Sequence, residues 1–92
     1  MGATDLEKRL YLSDNCVSEK LNEEIIILNL SSGQYHELNK LGSVIWETIE
    51  KQNPTLEELT FSLEESYNSE SIKQDIAQFV IEMVERKLII EK

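Results

Sequence analysis

Residues 25–50, IIILNLSSGQYHELNKLGSVIWETIE, constrain this chain more than any other stretch. Ile25, Ile26, Ile27, Leu28 and Leu30 read as an apolar strand, Ser31-Ser32-Gly33 as a turn, and residues 34–38 as a second strand. β-Branched and aromatic residues on either side of a glycine-containing turn are the signal of a hairpin. Asn39 follows at once, and its short side chain can accept from the unpaired N–H groups that open a helix. A hairpin that enters a helix with almost no linker fixes the orientation of one against the other. Along the first strand, Ile25 and Ile27 point opposite to Ile26 and Leu28, because side chains alternate. Both sets are apolar, so this strand is expected to be central and covered on each side.

Upstream, Cys16 to Leu21 shows partial alternation, with Val17 and Leu21 set against Ser18 and Lys20, which suits a half-buried first strand. Residues 1–14 form a weakly patterned arm in which Leu6, Leu10 and Leu12 fit either a short strand or a frayed end. Residues 15–92 read as one domain.

Downstream, residues 41–51 carry Leu41, Val44, Ile45, Thr48 and Ile49 at helical spacing, with Trp46 off the centre of the stripe. Trp46 there is either a packing residue at the edge of the core or a partner contact. Gln52-Asn53-Pro54 breaks the helix, and Thr55 to Glu58 matches a capping box, in which Thr and Glu satisfy backbone donors reciprocally. A second helix runs to about Tyr67, turning Leu56, Leu59, Leu63 and Tyr67 inward. A third, capped by Ser69, spans residues 70–87. Its apolar set of Ile72, Ile76, Phe79, Val80, Met83 and Val84, widened by Ala77, Ile81 and Leu88, covers about 200° of the helix against ~100° for an ordinary surface stripe. Either the helix is wedged between two layers, or one margin of its apolar arc awaits a partner. Leu88-Ile89-Ile90 is expected to pack back onto the core.

The residues exclude much chemistry. Cys16 is the only cysteine, which rules out an internal disulfide and suits a small buried hydrophobe. One Cys and one His, His36, make a poor metal site, since structural zinc takes four such ligands. No HExxH or paired acidic motif occurs, and the three glycines form no phosphate-binding loop. No enzyme, metal or cofactor is expected. No apolar run approaches the ~20 residues that cross a bilayer, and the first residues lack the apolar core of a secretion signal, so no membrane and a cytoplasmic location are expected.

A small sheet followed by short helices and tight turns resembles a winged helix-turn-helix, and raises DNA binding. Charge decides against it. The net charge is -9, and residues 55–70 hold five Glu and no basic residue. The third helix sets Lys73, Arg86 and Lys87 against Glu70, Asp75, Glu82 and Glu85. A surface of that sign repels phosphates, so nucleic acid is not an expected partner.

At GQYHELNKLGSVIWETI the sequence resembles the PqqD-like family, the recognition elements of ribosomally made, post-translationally modified peptides. The shared pattern is a strand ending in Leu, a Gly turn, an aromatic strand, then Leu38-Asn39, Gly42 and Ile45-Trp46. Residues 56–67 are similar too, as are residues 72–89, with Asp75 and Phe79 ahead of Arg86-Lys87-Leu88-Ile89. Lys40-Leu41 departs from the acidic or small residues usual between Asn39 and Gly42.

The resemblance implies an α+β fold: a three-stranded antiparallel sheet followed by a three-helix, winged-helix-like bundle. It implies a precursor's leader peptide bound as an added β-strand. By matching positions the peptide-binding residues are Gln34, Tyr35, His36, Glu37 and Leu38 on the edge strand, and Asp75, Phe79, Glu82 and Met83 on the helical wall. Phe79 and Met83 form an apolar floor on that reading, or simply pack in the core. Asp75 and Glu82 face basic or polar leader groups. Within the family the chain resembles the leader-binding protein of lasso-peptide pathways, whose partners are a separate leader protease and cyclase. The alternatives are a PqqD-type peptide chaperone for a radical-SAM maturase and, from a different class, a winged-helix transcriptional or protein-interaction module.

Overall fold

The structure, a computed structural model, describes residues 7–69 and 71–92. Leu6 of the arm and Glu70 at the expected start of the third helix lie outside them. The elements follow the order β1 (Leu10–Leu12), β2 (Cys16–Leu21), β3 (Glu24–Asn29), β4 (Tyr35–Glu37), α1 (Lys40–Gln52), α2 (Leu56–Tyr67), α3 (Ile72–Glu85) and β5 (Ile89–Glu91). This is the expected α+β arrangement, extended by a second small sheet.

The main sheet is antiparallel in the order β2-β3-β4. Asn22 takes a left-handed conformation in the β2–β3 turn and Gly33 does so between β3 and β4 (φ 61 and 75). Asn29 organises the second turn, its Oδ1 accepting from Ser31 N and Ser32 N at 2.9 and 3.3 Å. Asn39 caps α1 by accepting from Gly42 N at 2.8 Å. Thr55 and Glu58 form the reciprocal capping box of α2. Ser69 does not cap α3: Ser71 occupies that position and makes no side-chain cap bond, and its hydroxyl pairs with that of Ser69 instead.

One hydrophobic core lies between the main sheet and the helices. Ile25 and Ile27 enter it from β3, Ile45, Trp46 and Ile49 from α1, Leu59 and Leu63 from α2, and Ile76, Val80 and Met83 from α3. Trp46 is fully buried, with the indole N–H donating to Ser18 Oγ at 3.2 Å. Among the described residues Ser43 is the buried polar one; its Oγ accepts from Ile25 N at 2.8 Å and so fastens β3 to α1. Tyr67, expected inward, is 44% exposed at the end of α2.

One open alternative is decided and one further expectation changes. Leu10–Leu12 is a strand, paired antiparallel with β5, and Leu10 is fully buried. That part of the arm is integral to the core, and the apolar tail packs back as its partner strand. The changed expectation concerns β3. It is central, but the helices and the β1-β5 sheet lie on one face of it. Ile25 and Ile27 are buried, whereas Ile26 and Leu28 stay half-exposed on the other.

Candidate functional site

β4 is an edge of the main sheet, and its ladder fixes which of its backbone groups are free. Asn29 N donates to Gln34 O at 2.9 Å, and Leu38 N donates to Ile25 O at 2.8 Å. Antiparallel pairing alternates, so the even-numbered residues bond β3 while Tyr35 and Glu37 turn their N–H and C=O outward. The same alternation sends the Tyr35 and Glu37 side chains to the outer face of the sheet, beside Leu28 and Ile26. His36 points toward α3.

α3 runs along this edge. With 100° per residue, Asp75, Phe79, Glu82 and Arg86 fall within about 60° of one another on the margin of its apolar arc. A depression of about 390 Å³ brings Tyr35, His36, Glu37 and Leu38 against Phe79, Glu82 and Met83, with Arg86 at its border. A second, of about 330 Å³, continues past Phe79 and Glu82 to Asp75 and Gln78, with Leu41, Gly42 and Ile45 of α1 opposite. Gln34 sits beyond the other end, beside His36 and Arg86. Eight of the nine residues named from sequence thus line these two adjoining depressions, a channel between strand edge and helix, and Gln34 borders a third beyond it.

Their parts in the channel differ. Phe79 is half-buried and forms an apolar wall of both depressions. Met83 is only 6% exposed, so it is a core residue that touches the channel rather than half of its floor. Asp75 and Glu82 make the helical side of the lining acidic. Arg86 is the basic residue, and its guanidinium donates to His36 Nδ1 at 2.9 Å, bridging helix and strand. Sequence reasoning did not place Gln78, Arg86, Asn39, Leu41, Gly42 or Ile45 in the channel. The spacing 75, 78, 79, 82, 86 was the available signal for the first two, because residues three and four apart share a helix face.

Nothing in this arrangement resembles a reaction centre. Cys16 and His36 lie on β2 and β4 with β3 between them. Cys16 is half-buried, its Sγ donating to Ser13 O at 3.4 Å. Burial, and then the Asp14 carboxylate, push its thiol above the ordinary range. Among the described residues no three His, Cys, Asp or Glu side chains gather to hold a metal ion, and no helix is long and apolar enough to cross a membrane. The channel offers unpaired peptide groups along one wall and an apolar, acidic surface along the other.

Residues 24–89 match the protein family described as coenzyme PQQ synthesis protein D (PqqD). Among solved structures, the fold is similar to that of TbiB1 in complex with the TbiA(beta) leader peptide. The TM-score is 0.76 at 25% sequence identity, covering 86% of this chain and 93% of that one. No curated protein matches the chain significantly.

Proposed function

The chain belongs to the PqqD family, and from that premise we propose that it captures a precursor's leader peptide as an added β-strand and presents it to a maturation enzyme. The leader lies along β4, bonded to the outward N–H and C=O groups of Tyr35 and Glu37. The observation that carries this reading is those two residues' free backbone, held opposite the Phe79 wall of α3. An extended peptide satisfies the edge with its main chain and is read through alternate side chains in the adjoining pockets. Apolar leader side chains rest on Phe79, and basic or polar ones meet Asp75 and Glu82. The similar structure, TbiB1, is itself named with a leader peptide, which supports the same use of the fold here. Binding, not turnover, is the chain's contribution.

The enzyme served is the finer part of the proposal. The matched family's description names coenzyme PQQ synthesis, which supports a PqqD-type chaperone for a radical-SAM maturase. The protease and cyclase of a lasso-peptide pathway are the competing recipients.

Titration of the purified protein with labelled leader peptide and, separately, with duplex DNA tests the core of the proposal. Saturable leader binding and no DNA binding are expected; the reverse would make the chain a winged-helix regulator. Adding a radical-SAM maturase, or a leader protease with its cyclase, to the loaded protein and measuring co-elution identifies the recipient.

A further inference from the structure

The outer face of the main sheet is not the surface that an antiparallel sheet usually turns to water. Such a sheet commonly alternates apolar-in and polar-out. The register of β2, β3 and β4 instead puts Val17, Leu21, Ile26, Leu28 and Tyr35 together on that outer face. Val17, Leu21 and Tyr35 are 53%, 51% and 71% exposed, and the group surrounds a shallow depression of about 340 Å³. Contiguous exposed apolar side chains of this kind mark interaction surfaces, whereas single ones do not. No described helix covers them, because all three lie on the opposite face.

The charges on this face have one sign. Glu19, Glu24 and Glu37 alternate with the apolar residues, and none of the described ion pairs involves them. Lys20, between two outer-face positions, points the other way and pairs with Glu47 of α1. A second copy of this chain would set these carboxylates against their equivalents, each copy carrying a net charge of -9. Like charges brought together across an interface are costly. The pattern fits a partner with an apolar centre bordered by Lys and Arg.

We infer that the outer face of β2, β3 and β4 is the docking surface for the maturation enzyme, which meets it with an apolar patch ringed by basic side chains. The identity of the partner rests on the leader-binding reading; the surface does not. Leader channel and docking face are separate, meeting only at β4, so one protein can hold the peptide and the enzyme together.

The test uses the enzyme that co-elutes in the reconstitution above and the variants Val17→Ser/Leu21→Ser and Glu19→Lys/Glu24→Lys. All four positions lie away from the channel. Leader affinity, measured by fluorescence anisotropy, is expected to stay within twofold of wild type in both variants, which also shows that the fold survives. Association with the enzyme is expected to weaken at least tenfold in each. Wild-type association with either variant, or no enzyme that associates with the wild-type protein, overturns the inference. So does a concentration-dependent wild-type dimer abolished by Val17→Ser/Leu21→Ser, which would give the face to a second copy. Nuclear Overhauser contacts from the Val17 and Leu21 methyls to residues 1–6 would give it to the start of the chain and overturn it equally. Loss of leader binding in both wild type and variants, with enzyme association still sensitive to these positions, would sink the leader reading and leave the docking face standing.

Discussion

A β-carbon at Gly42 would stand 3.1 Å from Cε1 of Phe79, closer than two carbons comfortably approach. The absence of a side chain on the first turn of α1 therefore sets where the channel's aromatic wall can rest. Gly42→Ala adds a better helix former, worth up to ~1 kcal/mol in a helix interior. It also pushes Phe79 toward the open channel, the direction in which the half-buried ring can yield. The expected result is a melting temperature close to wild type with leader affinity several-fold weaker. A calorimetric melt beside an anisotropy titration separates the two, and unchanged affinity would remove Gly42 from the site.

Local chemistry in this chain was legible from sequence, and long-range pairing was not. Asn39 and the Thr55–Glu58 box announce two helix starts through bonds spanning three residues, and both form. The union of Leu10–Leu12 with Ile89–Glu91 joins opposite ends of the chain, and no short-range pattern encodes it. Trp46 sat off its helix stripe only because the stripe assumes one flat partner. Here α1 is overlaid by β2 as well, which brings Ser18 to the indole N–H. Apolar residues on both faces of β3 imply two covered faces, yet composition cannot distinguish a face covered by its own chain from one left open.

Ser43 gives a stability prediction. Its hydroxyl is the acceptor for the buried Ile25 N–H, and Ile25 is the second residue of the central strand. Ser43→Ala leaves that donor without a partner, at a cost of about 1–3 kcal/mol. Thermal or urea unfolding should show the loss. Ser43→Thr keeps the hydroxyl, but adds a methyl in a closely packed place and should recover only part of it.

Cys16 should behave as an inert thiol. The thiolate is the reactive form, and burial together with Asp14 disfavours it. Alkylation by iodoacetamide near neutral pH is expected to be at least tenfold slower in the folded protein than in denaturant. The sign for stability follows: folding favours the neutral thiol, so this group's contribution is full below the ordinary thiol range and is lost as pH rises through it. Cys16→Ala should leave leader binding and maturation intact and flatten that alkaline decline. Loss of maturation with binding preserved would reveal a chemical role for the thiol.

Charge should govern the rate of encounter more than the lifetime of the complex. The chain carries a net charge of -9, and Asp75 and Glu82 line the channel. A basic leader is then steered in, and salt screens the steering over a Debye length of about 10 Å at 0.1 M. Stopped-flow binding should show association slowing between low and physiological salt, with dissociation nearly constant. Flat association rates would assign the acidic surface to solubility alone.

The backbone of β4 provides the most direct test of where the leader sits. Tyr35 and Glu37 direct their N–H groups away from β3, while His36 and Leu38 direct theirs toward it. In the free protein the amides of Tyr35 and Glu37 should exchange rapidly and those of His36 and Leu38 more slowly. Leader binding should protect the first pair strongly and change the second little, giving an alternating pattern that burial under a helix or loop would not produce. Tyr35→Pro removes an outward N–H that bonds nothing within the sheet, so the hairpin should keep its pairing while leader affinity falls about tenfold or more. Tyr35→Ala, which retains that N–H, should bind more tightly than Tyr35→Pro. Equal losses in the two variants would mean that the side chain, not the strand edge, holds the peptide. Protection confined to Cys16–Leu21 would place the leader on the opposite edge of the sheet.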